Sequence, residues 1–422
     1  MAITNIKVSN FKSFKDLDLN LGRFNVVIGA NASGKSNFVE IFRFLKTLER
    51  ENLDDAVSLH GGPDDITNRR LGRAEPLRMR VTSDWQMTWA GTKADIRVRE
   101  TIYDFSLRFQ SPQDGTWIEK DRLTQKLLAR IGDEDAEMSL DILQSQGSPS
   151  IEIGPNDVVE RIKKTWASSE SPLLRSSDPG FDSFRSFVSV MLAGKEGVLL
   201  IQNRALSGLT GAFESMFGRV GVYDIQPQEI KKPHETAGIP RLEKDGKNLA
   251  LVLKQILADS EKSRMFQNLL RDMLPFAVEI GVEQHLGVSL LLKLREAYHE
   301  SSLLANLLSD GTVDVAALIT ALFFEDKDVV IIEEPERNIH PRLISGLVEL
   351  MKDASRNRQI IITTHSPEVV KHAGVENLLL ILRDEKGFST ISRPAEKEAV
   401  RVFLEHELGL DDLFVQDVLA VP

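Results

Sequence analysis

The sequence predicts an α/β protein with a mainly antiparallel N-terminal sheet, a parallel core sheet and a helical insertion between its two halves. Three observations carry that prediction. A glycine-rich loop, "GANASGKSN" (29–37), stands between an apolar strand pattern and an amphipathic helix pattern. Much of the segment 77–118 alternates apolar with polar residues, as a half-buried strand does. From 313 to 382, helical patterns alternate with short β-branched runs, which is the signature of a parallel sheet.

The elements follow in order. "ITNIKVSNFKSF" (3–14) reads as a strand and turn, and "LDLNL" (17–21) and "FNVVIG" (24–29) as two further strands. After the loop, Phe38, Ile41, Phe42 and Leu45 fall at helical spacing. In "YDFSLRF" (103–109), Tyr103, Phe105, Leu107 and Phe109 share one face. From about 120 to 220 the patterns read as short helices, "DRLTQKLLARI" (121–131), "NDVVERIKKTW" (156–166) and "FDSFRSFVSVML" (181–192), with no sustained heptad. "GKNLALVLKQIL" (246–257) is helical, and "AVEIGVEQ" (277–284) and "GVSLLLKLRE" (287–296) read as paired strands. A helix after Gly311, a strand at 329–332, a helix near 342–353, a strand at 359–363, another helix and "NLLLILRD" (377–384) complete the alternation.

Composition narrows the function classes. The chain has 422 residues, 42% of them hydrophobic and 27% charged, enough for two or three cores. It has no cysteine, which excludes disulfides, thiol catalysis and cysteine-held metal, and suits a cytoplasmic protein. The net charge of −11 argues against a generally basic nucleic-acid coat. No stretch reads as a membrane span: "VDVAALITALFF" (313–324) is too short and carries Asp314. The N-terminus shows no signal-peptide apolar core.

The loop fits the phosphate-binding pattern G-x-x-x-x-G-K-[ST]. Gly29, Ala30, Asn31, Ala32, Ser33 and Gly34 would turn their N–H groups inward, with Asn37 at the start of the helix. Lys35 would reach the β- and γ-phosphates of ATP, and Ser36 would ligate Mg²⁺. "KDVVIIEEPE" (327–336) is a buried-type strand ending in carboxylates. Glu333 suits the magnesium shell and Glu334 a general base; an acidic turn with solvated charges explains the same residues equally well when taken alone. "QIIITTHSPEVV" (359–370) ends a second such strand at His365, a candidate γ-phosphate sensor, or a histidine bonded to a carbonyl. Ser309, Asp310 and Gly311 open a helix, where a hydroxyl and N–H groups suit an anion or serve as an ordinary N-cap.

As an ordered set, "NFKSF", "GANASGKSN", "DGKNLALVL", "LLSDGT", "IIEEPERNIHP" and "TTHSPEVV" resemble the ABC-type ATPase heads of the RecF, SMC and OLD proteins, most of all the OLD-like bacterial AAA family ATPases. The resemblance spans residues 10 to 370 and leaves 120–220 without a motif. It implies a split head: 1–119 with the P-loop, a mainly helical insertion at 120–220 for dimerisation or partner docking, 221–390 with signature, Walker B and switch histidine, and a helical tail at 391–422. It further implies ATP hydrolysis with Mg²⁺ in a homodimer or higher homo-oligomer, where Ser309 and Gly311 of one copy meet the γ-phosphate bound by Lys35 of the other. Two residues depart from the common pattern: Glu333 replaces an aspartate, and Asp310 replaces the glycine of transporters. No Q-loop glutamine is assigned, because Gln86 sits in an alternating strand pattern.

The expected role is an ATPase that regulates a separate nuclease or toxin-like effector in anti-phage defence. The alternative is a RecF-like or clamp-type DNA-repair ATPase. Arginines 69, 70, 73, 78 and 80 suit DNA phosphates, although a solvated loop and strand edge is the favoured reading of that stretch. The short stretch after His365, with Asp411 and Asp412 adjacent, is not expected to hold a TOPRIM nuclease.

Overall fold

The computed structural model describes residues 1–85, 88–90, 94–109, 115–145, 148–167, 199–202, 217–235, 238, 241–285 and 289–396. The chain divides into two compact units. One comprises Met1–Leu21, Glu40–Gly218 and Arg383–Thr390; the other comprises Gly22–Val39, Arg219–Leu382 and Ile391–Pro422.

The first unit is built on an antiparallel sheet. Its strands, numbered along the whole chain, are β1 (Ile3–Phe11), β2 (Phe14–Asn20), β4 (Leu77–Ser83), β5 (Thr88–Ala90), β6 (Ala94–Phe109), β7 (Thr116–Ile131), β8 (Glu134–Ser145) and β9 (Ser148–Gly154). The order is β2-β1-β4-β6-β7-β8-β9, with β5 also paired to β6. Tyr103, Phe105, Leu107 and Phe109 of β6 are all buried, as alternation predicts. So are Leu77, Met79 and Val81 of β4. Phe44, from the part of helix α1 (Lys35–Arg50) that lies in this unit, packs its ring 5.8 Å from that of Phe11.

Here the structure corrects the first part of the helical insertion expected over 120–220. Residues 121–131 form most of β7, a strand flanked by β6 and β8, and the chain stays β-structured to Gly154. Leu123 and Leu127 lie four apart, a spacing that suits either period. The inward positions between and beside them hold Gln125 and Asp121, both fully buried, so polar residues break the apolar alternation of the strand. The helix expected at 156–166 is present as α2 (Asn156–Ala167). The pattern at 181–192 and the tail from 397 lie outside the described residues.

The second unit holds a parallel sheet in the order β10 (Val220–Tyr223), β15 (Val329–Glu333), β16 (Gln359–Thr364), β3 (Phe24–Ile28) and β17 (Leu378–Arg383), with β18 (Ser389–Ser392) at the far edge. Strands β3 and β16 are buried at every residue, and each carries a short apolar run, Val26 to Ile28 and Ile360 to Ile362, beside the buried polar Asn25, Gln359, Thr363 and Thr364. A smaller antiparallel sheet pairs β12 (Ala277–His285) with β13 (Ser289–Glu296), as expected, and adds β11 (His234–Glu235) and β14 (Leu303–Leu304) on β13. Helices α3 (Leu249–Ala258), α4 (Ser260–Met273), α5 (Asp310–Ile319), α6 (Pro341–Ser355) and α7 (Pro367–Ala373) complete the unit. Their apolar faces join the sheet in one core, with Leu253, Phe266, Ala316, Leu347 and Val370 packed among Val26, Ile332 and Ile362. Among the described residues no helix is long and apolar enough to cross a membrane.

Candidate active site

The glycine-rich loop leaves the C-terminal end of β3 within the second unit. Gly29 must be glycine because a Cβ there would stand 2.5 Å from the carbonyl oxygen of Ile381. Gly34 turns the chain at φ 120° into α1, whose first backbone bond runs from Phe38 N–H to the Gly34 carbonyl at 2.9 Å. Lys35 is 8% exposed. Its Nζ donates to the carbonyls of Gly29 at 2.7 Å and Ala30 at 3.1 Å. Burial lowers the lysine pKa, while the charges of Glu334 and Glu336 oppose that shift. Ala30, Asn31, Ala32 and Ser36 form the exposed rim, Ser33 is buried and Asn37 is half-buried. A glycine-rich turn ahead of a helix N-terminus, with a buried lysine beside it, suits a polyphosphate.

Strand register supplies the other half. Glu333 pairs with Thr363, and Thr364 pairs with Ile28. The carboxyl ends of β15, β16 and β3 are therefore level, and the residues that follow them emerge side by side. Glu334 adopts φ 46°, rare for a residue with a Cβ, and its N–H donates to the Thr363 carbonyl at 2.9 Å. Nδ1 of His365 lies 2.9 Å from Oε1 of Glu334. Arg337 donates to Oε2 of Glu334 at 3.2 Å and to Asp224 at 3.1 Å. Partial burial pushes the Glu334 pKa up, but His365 and Arg337 hold the carboxyl below its usual range. It is thus an ionised acceptor at the strand end.

Ser309 caps α5, its Oγ accepting from Thr312 N–H at 3.1 Å. Asp310 is held by Lys231 and, at 3.2 Å, by Gln228. Gly311 meets the loop after β15: a Cβ there would stand 2.5 Å from the Asn338 carbonyl oxygen. These three residues share the second unit with the P-loop, and their described contacts run to Thr312, Lys231, Gln228 and Asn338.

Four residues without an assigned role in the sequence reading, Asp224, Glu336, Arg337 and Thr364, join the site. Glu336 accepts from Thr364 Oγ1 at 2.5 Å. Arg337 ties Glu334 to Asp224. The triplet Glu-Pro-Glu carries the signal for Glu336; nothing local announces that Thr364 would be its partner. Gln86 lies outside the described residues.

The donor set suits a magnesium nucleotide. Ser36 presents an exposed hydroxyl at the start of α1, and Glu333 ends β15. Among the described residues no group of three or more His, Asp or Glu side chains forms a protein-only cage. A magnesium ion bound here would take its remaining ligands from phosphate oxygens and water, as that ion commonly does. The arginine stretch is partly committed elsewhere: Arg69 pairs with Asp65, Arg73 with Asp64 and Arg80 with Asp104.

Two stretches of the chain match family models. Residues 1–87 match one described as "AAA ATPase domain", and residues 224–371 match one described as "AAA domain, putative AbiEii toxin, Type IV TA system". The chain thus carries AAA-type ATPase sequence over the P-loop and over both strand ends that face it. No curated protein matches the chain. Among solved structures it is similar to an SMC head bound to the C-winged helix domain of ScpA, at 13% identity and TM-score 0.46, covering 93% of this chain and 98% of that one. An Smc head with an extended coiled coil, bound to the C-terminal domain of ScpA derived from Pyrococcus furiosus, gives 13% identity and TM-score 0.46, with 96% and 99% covered. The SMC head domain from Thermotoga maritima gives 13% and 0.37, with 93% and 99% covered.

Proposed function

We propose that this chain hydrolyses ATP as an ABC-type ATPase whose two copies close around the nucleotide. One observation carries the reading. Strand register brings the P-loop, Glu334 and His365 to the level ends of three adjacent parallel strands, with Glu334 and His365 in hydrogen-bond reach.

In this reading the loop N–H groups and Lys35 hold the β- and γ-phosphates. Ser36 and Glu333 would hold Mg²⁺, which would offset charge on the phosphate oxygens. The ionised Glu334 accepts the proton of the attacking water. His365 fixes that carboxylate from one side. Ser309 and Gly311 of the second copy complete the site with an N-cap hydroxyl and helix N–H groups. Glu334→Gln tests the chemistry. It should bind ATP and release phosphate about 10²–10⁴-fold more slowly than the parent. Wild-type turnover in that variant would remove Glu334 from the mechanism.

The output of the cycle is the control of a separate nuclease or toxin-like effector in anti-phage defence. Its support is the motif resemblance together with the toxin–antitoxin wording of the second family description. An effector encoded beside this gene should co-purify with the chain and change its association in Lys35→Ala. Full cellular protection with the neighbouring genes deleted would defeat this part. The RecF-like DNA role is the weaker reading, because three of the five clustered arginines are already engaged by carboxylates.

A further inference from the structure

Between Glu334 and Asn338 the chain is held in an uncommon shape. Both residues have positive φ, 46° and 62°, although neither is glycine. Glu336 lies between them, and its side chain turns back to the end of β16, where Thr364 Oγ1 donates to Oε1 at 2.5 Å. The same Thr364 oxygen accepts the Ser366 N–H at 2.9 Å. His365 sits between these two anchored residues, with its ring against Glu334.

The second carboxyl oxygen of Glu336 is buried and has no hydrogen-bond partner among the described residues. A fold loses stability by leaving such an atom uncompensated, so its presence asks for a reason. Burial pushes the Glu336 carboxyl up, and the Thr364 hydroxyl and the residue's own backbone N–H act against that. A leucine or methionine would fill the space without the penalty but could not accept from Thr364. Strained backbone and an unsatisfied buried polar atom gather at sites where geometry matters more than stability.

We infer that Glu336 is a positioning residue of the hydrolytic site. It clamps the end of β16 through Thr364 and so sets His365 against Glu334. The inference rests on the ATPase reading above and adds to it the part that holds the base–histidine pair in register. In this reading Glu336 acts through Thr364. Its loss lets the 364–366 turn relax, and a shift of about 1 Å at a reacting group can lower a rate by about 10²-fold.

The test measures steady-state ATP turnover in Glu336→Ala, Thr364→Val, the double variant, and the conservative Glu336→Gln and Thr364→Ser, beside the parent and Glu334→Gln. Glu336→Ala and Thr364→Val should each lower kcat by about tenfold or more, within the range such displacement produces, while KM for ATP stays within about twofold. The double variant should be no worse than the poorer single, because both changes break one hydrogen bond. Glu336→Gln and Thr364→Ser keep an acceptor and a donor and should recover most of the rate. Wild-type kcat in Thr364→Val, losses that add in the double variant, or KM rising in step with the fall in kcat would each overturn the clamp. Thr364→Val decides the matter if Glu336→Ala does not fold. Failure of the parent to hydrolyse ATP, or full turnover in Glu334→Gln, is a different outcome and strikes the ATPase reading instead.

Discussion

Nδ1 of His365 stands 2.9 Å from Oε1 of Glu334, across two parallel strands whose ends are level. The pair makes the histidine a partner of the proposed base. His365→Ala should therefore lower kcat on the order of 10²-fold while ATP affinity changes little. Stopped-flow nucleotide binding beside steady-state turnover checks the separation. A large loss of affinity would assign the histidine to binding instead.

The proposed closure of two copies has a direct complementation test. Lys35→Ala removes the buried cation proposed to hold phosphate, and Ser309→Arg places bulk at the N-cap of α5. Neither variant alone should hydrolyse ATP. Mixed together they should regain part of the activity, since one of the two composite sites keeps both sound halves. Full turnover by purified Ser309→Arg would mean that one chain forms the whole site.

Gly311 is constrained by packing. An added Cβ would press on the Asn338 carbonyl at 2.5 Å, and Asn338 also donates to Asp314 at 3.1 Å. Gly311→Ala should cost about 1–3 kcal/mol of stability and lower turnover by displacing the loop after Glu334. Gly346 in α6 is the control, because a Cβ there meets only the Met273 sulfur at an ordinary 3.5 Å. Gly346→Ala should be neutral or stabilising by urea midpoint.

Asp121 gives a pH signature in the first unit. It is fully buried, its Oδ2 accepts the Leu200 N–H at 2.5 Å, and desolvation raises its pKa to about 7 against that bond. The unfolded chain releases this proton near the ordinary value of about 4, so between those limits the folded state binds more protons. The stability it contributes is complete below about pH 4 and is lost as pH rises through about 7. Asp121→Asn should become progressively more stable relative to the parent between pH 5 and pH 8. Parallel urea midpoints for the two proteins across that range would show that Asp121 does not titrate in the fold. Asp314, also raised to about 7 by burial, leaves a residual slope of the same sign.

Much of the site is legible in the chain because its parts are local. The loop from Gly29 to Ser36 is contiguous, and its glycines, lysine and following helix announce one another within a few residues. The strands before Glu333 and His365 show themselves as β-branched runs, and Ser309 shows itself as an N-cap. The antiparallel character of the first sheet is visible wherever alternation is clean, as at Tyr103 to Phe109. It is invisible at 121–131, where Asp121 and Gln125 point inward and only neighbouring strands reveal the period.

The sequence by itself determined the phosphate loop, the strand ends and the helix start, since each depends on backbone turns and periodicities spanning a handful of residues. Only the tertiary structure decided that Glu334 meets His365, that Glu336 meets Thr364, and that Asp310 is occupied by Lys231. Those partners lie about 30 to 80 positions apart, and what joins them is the register of parallel strands and the packing of separate elements, which no local pattern encodes.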